Sequence, residues 1–294
     1  VKTHHDDKGH IGRDRAADSG TAPAELLELL ELLELLELDG EVLAPYFSEL
    51  TGLLAEVADP APGRILDLGS GPGTGSLALA RRFPTAHVTA VDISPRMLHR
   101  LRERAAAQGA ADRVSTVEAD IDESWAGIGQ GGPYDLVWAA AFLHHVADPA
   151  HTFARAFEQL TPGGLIAVTE MDFFPRFLPE DAGATRAGLE ARLHAATDTR
   201  PPHDWTDHLR AAGFTHLDRR PFDIHLDHAQ AGPPLNAYAQ GFLAKLRSHA
   251  TDTLGSDDLA ALDALLDEDQ PYSVAHRDDL TVRTTRTTWI ARRP

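Results

Sequence analysis

Ile65-Leu-Asp-Leu-Gly-Ser-Gly-Pro-Gly-Thr-Gly75 carries a short apolar strand straight into a glycine-rich loop with an acid at its mouth. Branched apolar residues around Asp67 read as a buried parallel strand, and Gly69, Gly71, Gly73 and Gly75 remove the β-carbons that would hold a ligand off the backbone. Asp92 lies 25 residues after Asp67, at the end of a second strand-like run, His87-Val-Thr-Ala-Val-Asp92. A carboxylate there is placed to accept both hydroxyls of a ribose, as the acid about 20 residues beyond a dinucleotide loop does. Loop and acid together point to a nucleoside cofactor.

Phosphate separates the cofactor classes. A loop that cradles a pyrophosphate wants bare amides and a positive helix end, and a carboxylate at its rim would repel the ligand. Asp67 sits at that rim and suits a cofactor whose nearby end carries an ammonium group. Asp67-Leu-Gly-Ser-Gly-Pro-Gly-Thr-Gly75, with Asp92-Ile-Ser-Pro-Arg-Met-Leu98, resembles the first motif and the following acid of class I S-adenosylmethionine-dependent methyltransferases, in their large small-molecule group. Val114-Ser-Thr-Val-Glu-Ala-Asp120-Ile121 resembles that family's third strand, whose terminal acid and its neighbour contact adenine. Tyr134-Asp-Leu-Val-Trp-Ala-Ala-Ala-Phe-Leu-His144-His145-Val146 resembles its fourth strand and cofactor-facing turn. Leu160-Thr-Pro-Gly-Gly164, followed by Leu165-Ile-Ala-Val-Thr-Glu170, resembles a helix end and the fifth strand.

The resemblance runs from about Arg64 to Glu170 and thins afterwards. It implies an α/β fold: a Rossmann-like doubly wound seven-stranded sheet whose last strand lies antiparallel between the fifth and sixth. It implies S-adenosylmethionine as cofactor and S-adenosylhomocysteine as product. The implied cofactor contacts are Asp67, Gly69, Gly71, Gly73, Asp92, Ile93, Met97, Asp120, Ile121 and Ala140.

With 27 basic against 45 acidic residues, the formal charge of -18 repels a polyanion over most of the surface, so nucleic acid is disfavoured as a partner. No cysteine is present, which removes disulfides, thiolate zinc sites and cysteine nucleophiles together. No apolar run approaches the ~20 residues needed to span a bilayer. The expectation is a cytoplasmic protein with no membrane partner.

Residues 1–22 are polar and charged and read as a disordered tail, in which His4, His5 and His10 lack a frame to fix a metal. Residues 23–60 read as a helical cap. Its first helix, the Glu-Leu-Leu repeat opened by Pro23, is expected to close near Gly40, and a second helix follows over about 41–57. A period of three on a helix of 3.6 residues per turn moves each glutamate about 60° around the axis. Glu25, Glu28, Glu31, Glu34 and Glu37 therefore spiral, and the remaining leucines want partners on more than one side, as a cap over the site or a homodimer contact would provide. Residues 61–294 read as the core, with helical lid insertions at about 171–202 and 227–270. A helix is expected around 183–197 in the first and two helices, 235–250 and 256–267, in the second.

Transfer of a methyl group from a sulfonium needs a lone pair collinear with the S–CH3 bond, and well-oriented approach can contribute about 7 to 11 kcal/mol. His144 and His145 are the candidate bases, only one of which can face the acceptor; the alternative is that they order the turn beside the cofactor. Glu170 is the third catalytic candidate. With Asp172 it could hold an amine or accept a proton, and Arg176 could equally neutralise one of the pair. Tyr46 could close over the methionine end of the cofactor. His225-Leu-Asp-His228 gathers ligand types, but strand alternation turns His228 away, and no metal is expected. The leading expectation is methyl transfer to N, C or O of a small molecule of secondary metabolism. The competitors are a cofactor-binding scaffold without turnover, a non-methylating enzyme of the same fold, and an NAD(P)-dependent oxidoreductase.

Overall fold

The computed structural model describes residues 23–183, 186–197 and 203–294, with side chains from Leu27 onward. The tail expected over 1–22 lies outside the described residues, as do Pro201 and Pro202. Seven strands form one sheet in the order β3-β2-β1-β4-β5-β7-β6. They are β1 (Arg64–Leu68), β2 (His87–Asp92), β3 (Val114–Glu118), β4 (Tyr134–Ala140), β5 (Leu160–Met171), β6 (Thr215–Asp227) and β7 (Thr281–Arg292). Strands β1 to β5 are parallel, and β7 runs antiparallel to both β5 and β6, as expected. The strand order reverses between β1 and β4, which opens a crevice at their carboxyl ends.

Strand alternation supplies both faces with apolar side chains. Ile65, Trp138 and Ala167 join one core cluster, while Leu66, Val137 and Ile166 join the other. The first face is covered by α2 (Ala44–Val57), α3 (Thr74–Arg82) and α4 (Pro95–Ala107), and the second by α5 (Pro149–Gln159) and α7 (Thr206–Ala211).

The leucine-rich helix, α1 (Pro23–Val42), runs through Gly40 instead of ending there. A β-carbon at Gly40 would come within 2.6 Å of Thr74, so this glycine permits a close approach to the glycine-rich loop and does not act as a stop signal. Only part of the leucine surface is covered: Leu35 and Leu38 pack on the core, whereas Leu27 is 58% and Leu30 47% exposed.

In the first insertion the helix begins at Leu189, not near 183, giving α6 (Leu189–Thr197). The chain before it is held by the Gly188 N–H donating to the Glu180 carbonyl, with Gly188 at a φ of +75°. The second insertion holds α8 (His228–Ala231), α9 (Pro234–His249) and α10 (Ser256–Leu266). The short α8 was not anticipated; Asp227 and Gln230 close it with a reciprocal capping box. Phe177, Tyr238 and Phe242 bring their rings within 5.3 to 5.9 Å of one another, so these insertion aromatics form core.

Candidate active site

The loop after β1 and the acid after β2 are built as one piece. Asp92 Oδ2 accepts from the Gly71 N–H at 2.8 Å and Oδ1 from the Ser94 N–H at 2.8 Å, so two amides fix the carboxylate while each oxygen keeps a lone pair for a further donor. Beside it Ile93 is 62% exposed, an apolar side chain left open next to a polar clamp. Gly69 has a φ of +67°, and a β-carbon there would overlap the Phe142 ring, which lies across the loop. Gly73, in the left-handed region, starts α3, and Ser94 caps α4 by accepting from the Met97 N–H.

Asp67 is not at the rim. It is 2% exposed beneath the loop, where Ser76 in the first turn of α3 donates to its Oδ2 at 2.5 Å. Burial pushes its pKa up to about 7, with Asp92 adding in the same direction and the Ser76 hydrogen bond opposing. This places a carboxylate at the helix end that a pyrophosphate would need.

The adenine-side residues divide. Asp120 is half-buried and accepts from the Asp122 N–H at 3.0 Å, whereas Ile121 buries its side chain in the second core cluster and leaves only its main chain for a ligand. Met97 is buried below the clamp, and Ala140 is half-buried at the end of β4. The next residue, Ala141, has a φ of +50°, a strained conformation for a side-chain-bearing residue at the mouth of the site.

Two polar groups flank the end of β5. On one face, Glu170 meets His144 through Nδ1 at 2.8 Å, with Glu170 2% and His144 16% exposed. The ring of His145 lies 4.0 Å from that of His144, and His203 stacks between His144 at 5.6 Å and Trp205 at 5.3 Å. Glu170 therefore orients the imidazole through Nδ1, and Nε2 is the ring nitrogen outside that contact. Asp172 is turned to the Thr287 hydroxyl at 2.9 Å, and Arg176 pairs through its backbone with Arg283.

On the other face, Tyr46 is 3% exposed, with its hydroxyl 2.8 Å from Thr169, which in turn meets Thr288 at 3.0 Å. Arg286 and Tyr238 both donate to Asp39 Oδ1, at 2.5 and 2.6 Å. Burial raises the pKa of both tyrosines.

Residues 65–164 match the family described as methyltransferase domain. The match to a methyltransferase domain is confined to those residues, from β1 to the start of β5. The chain is 36% identical over 173 residues to a trans-aconitate 2-methyltransferase of Streptomyces coelicolor, covering 56% of each. It is 40% identical over 120 residues to one from Paracidovorax citrulli, covering 41% of this chain and 43% of that one. The chain thus spans about half the length of the curated relatives it matches. A Galdieria sulphuraria structure assigned as a sarcosine dimethylglycine methyltransferase shares the fold, with a TM-score of 0.50, 18% identity and coverage of 85% and 86% of the two chains.

The structure also gathers here residues that the sequence did not single out. Phe142 over Gly69 and Arg286 beside Asp39 are set by neighbours distant in the chain, and Ser76 reaches Asp67 only through the turn from β1 into α3. Among the described residues no group of three or more His, Asp or Glu could hold a metal ion; Asp227 caps α8, and His228 instead meets the Arg277 carbonyl. Nor is any described helix long and apolar enough to cross a membrane.

Proposed function

We propose that this chain transfers a methyl group from S-adenosylmethionine to a small organic acid. The observation that carries the reading is the Asp92 clamp: a carboxylate held by the Gly71 and Ser94 amides, with exposed Ile93 alongside, suits a ribose and an adenine. Asp67 below the loop supplies buried negative charge for the cofactor's ammonium and disfavours a pyrophosphate. When bound, the cofactor supplies the methyl donor. The chain's own residues position the acceptor and exclude water, and His144, oriented by Glu170, can receive a proton at Nε2 where the acceptor has one to lose.

The organic acid narrows the secondary-metabolite class expected from the sequence, and the trans-aconitate 2-methyltransferases among the relatives support it. In this reading α1 is a lid. Leu36 reaches to 3.8 Å from where a β-carbon on Gly71 would lie, Gly40 meets Thr74, and Glu37 forms a forked pair with Arg100 at 2.6 and 3.1 Å.

Calorimetric titration with S-adenosylhomocysteine, with NADH as control, tests the cofactor. Micromolar binding of the first alone is expected, and binding of NADH alone would return the oxidoreductase reading. Release of labelled methyl into trans-aconitate then tests turnover; tight cofactor binding without transfer to any acid would favour the scaffold.

A further inference from the structure

The polar group under α1 contains a cation that its present partner leaves unfinished. Arg286 stands opposite Met171, the last residue of β5, and is 5% exposed. It reaches Asp39 end-on through one Nη at 2.5 Å, and Asp39 Oδ1 is shared with the Tyr238 hydroxyl. Its Nε is buried with no partner among the described residues. A guanidinium offers five N–H donors in a planar fork that fits a carboxylate through two parallel bonds, and buried donors left unpaired are rare. The Tyr46 ring lies 5.4 Å and the Phe47 ring 5.9 Å from the guanidinium carbon. The Tyr46, Thr169 and Thr288 hydroxyls line the same wall.

We propose that Arg286 anchors a carboxylate of the methyl acceptor, and that Asp39 on the α1 lid occupies that anchor until the acceptor arrives. The proposal rests on the methyltransferase reading. Three features support the exchange. Asp39 belongs to the helix that covers the glycine-rich loop, so freeing Arg286 and lifting the lid are one movement. Replacing one carboxylate by another keeps the buried charges matched, which avoids the cost of exposing an unpaired cation to a low-dielectric wall. With a formal charge of -18, the protein exerts no general attraction on an anionic acceptor, so recognition needs a dedicated cation at the site. Burial opposes the charge of Arg286, but the Asp39 carboxylate beside it outweighs that cost and keeps the guanidinium charged.

The test is calorimetry on the full chain saturated with S-adenosylhomocysteine, using trans-aconitate, citrate and succinate as probes and the trimethyl ester of trans-aconitate as the neutral control. At least one acid should bind and the ester should not. Asp39→Asn, which removes the competing carboxylate charge, should tighten that acid by about tenfold or more, and Arg286→Lys, which loses the fork, should weaken it by about tenfold or more. Both variants should still bind S-adenosylhomocysteine, because neither changes the Asp92 clamp. If Arg286→Lys does not fold, Asp39→Asn/Arg286→Gln removes both charges and should fold without binding the acid. A purely structural ion pair would lower the melting temperature of Asp39→Asn without tightening any acid; that result, equal binding of the ester, or no acid binding to the loaded protein would overturn the anchor and leave the cofactor reading intact. Failure of S-adenosylhomocysteine to bind wild type would overturn both.

Discussion

The two polar groups flanking β5 differ in how they are assembled. His144 and Glu170 come from consecutive strand ends of the core, and His144 stays partly open. Asp39, Tyr46, Tyr238 and Arg286 come from α1, α2, α9 and β7 and are closed over by the helices that supply them. The difference teaches a division of labour. The core sets the glycine-rich loop and the imidazole from neighbouring strand ends, whereas the second group is complete only with the residues that α1 and α2 add to α9 and β7.

The largest effect should separate the groups by stability. Arg286→Ala leaves Asp39 and Tyr238 without their cation and should cost about 3 kcal/mol in urea denaturation, and adding Asp39→Ala should recover much of it. His144→Gln at the open group should cost under about 1 kcal/mol, and equal losses would erase the distinction. Next, Asp92→Ala should weaken S-adenosylhomocysteine by about 1.5 to 3 kcal/mol, because charge-assisted ribose bonds and the loop clamp go together. Unchanged affinity in a folded variant would remove the ribose assignment and with it the shared cofactor between the groups.

A smaller effect tests the charge under the loop. A cationic cofactor favours ionised Asp67, so S-adenosylmethionine affinity should fall by about tenfold between pH 8 and pH 6, and Asp67→Asn should flatten that profile. Stability moves the other way. A carboxyl whose folded pKa is raised to about 7 favours the folded state below about pH 4, and that contribution is lost as pH rises toward 7. The smallest effect is on turnover. A carboxylate acceptor has no proton to lose, so His144→Gln should reduce kcat by less than about tenfold; a loss of 10²- to 10⁴-fold would move the chemistry to the histidine group and imply an acceptor that must be deprotonated.

Much of the core was legible because its signals are local. The apolar run of β1 and its glycine-rich loop each depend on a few adjacent residues, and the antiparallel last strand followed from the family resemblance. The misreadings arose where contact overrode local preference. Gly40 looked like a helix terminator and is a contact with Thr74, and Asp67 looked like a rim residue and is sealed by Ser76.

From sequence alone came the class of fold and the place of the glycine-rich loop after β1, since periodicity, glycine spacing and strand ends are properties of neighbouring residues. Only the tertiary structure decided that Glu170 meets His144, where α1 lies and that Arg286 meets Asp39. Those outcomes join residues up to 247 positions apart, and side chains so separated acquire a shared environment only when packing brings their elements together and removes water from between them.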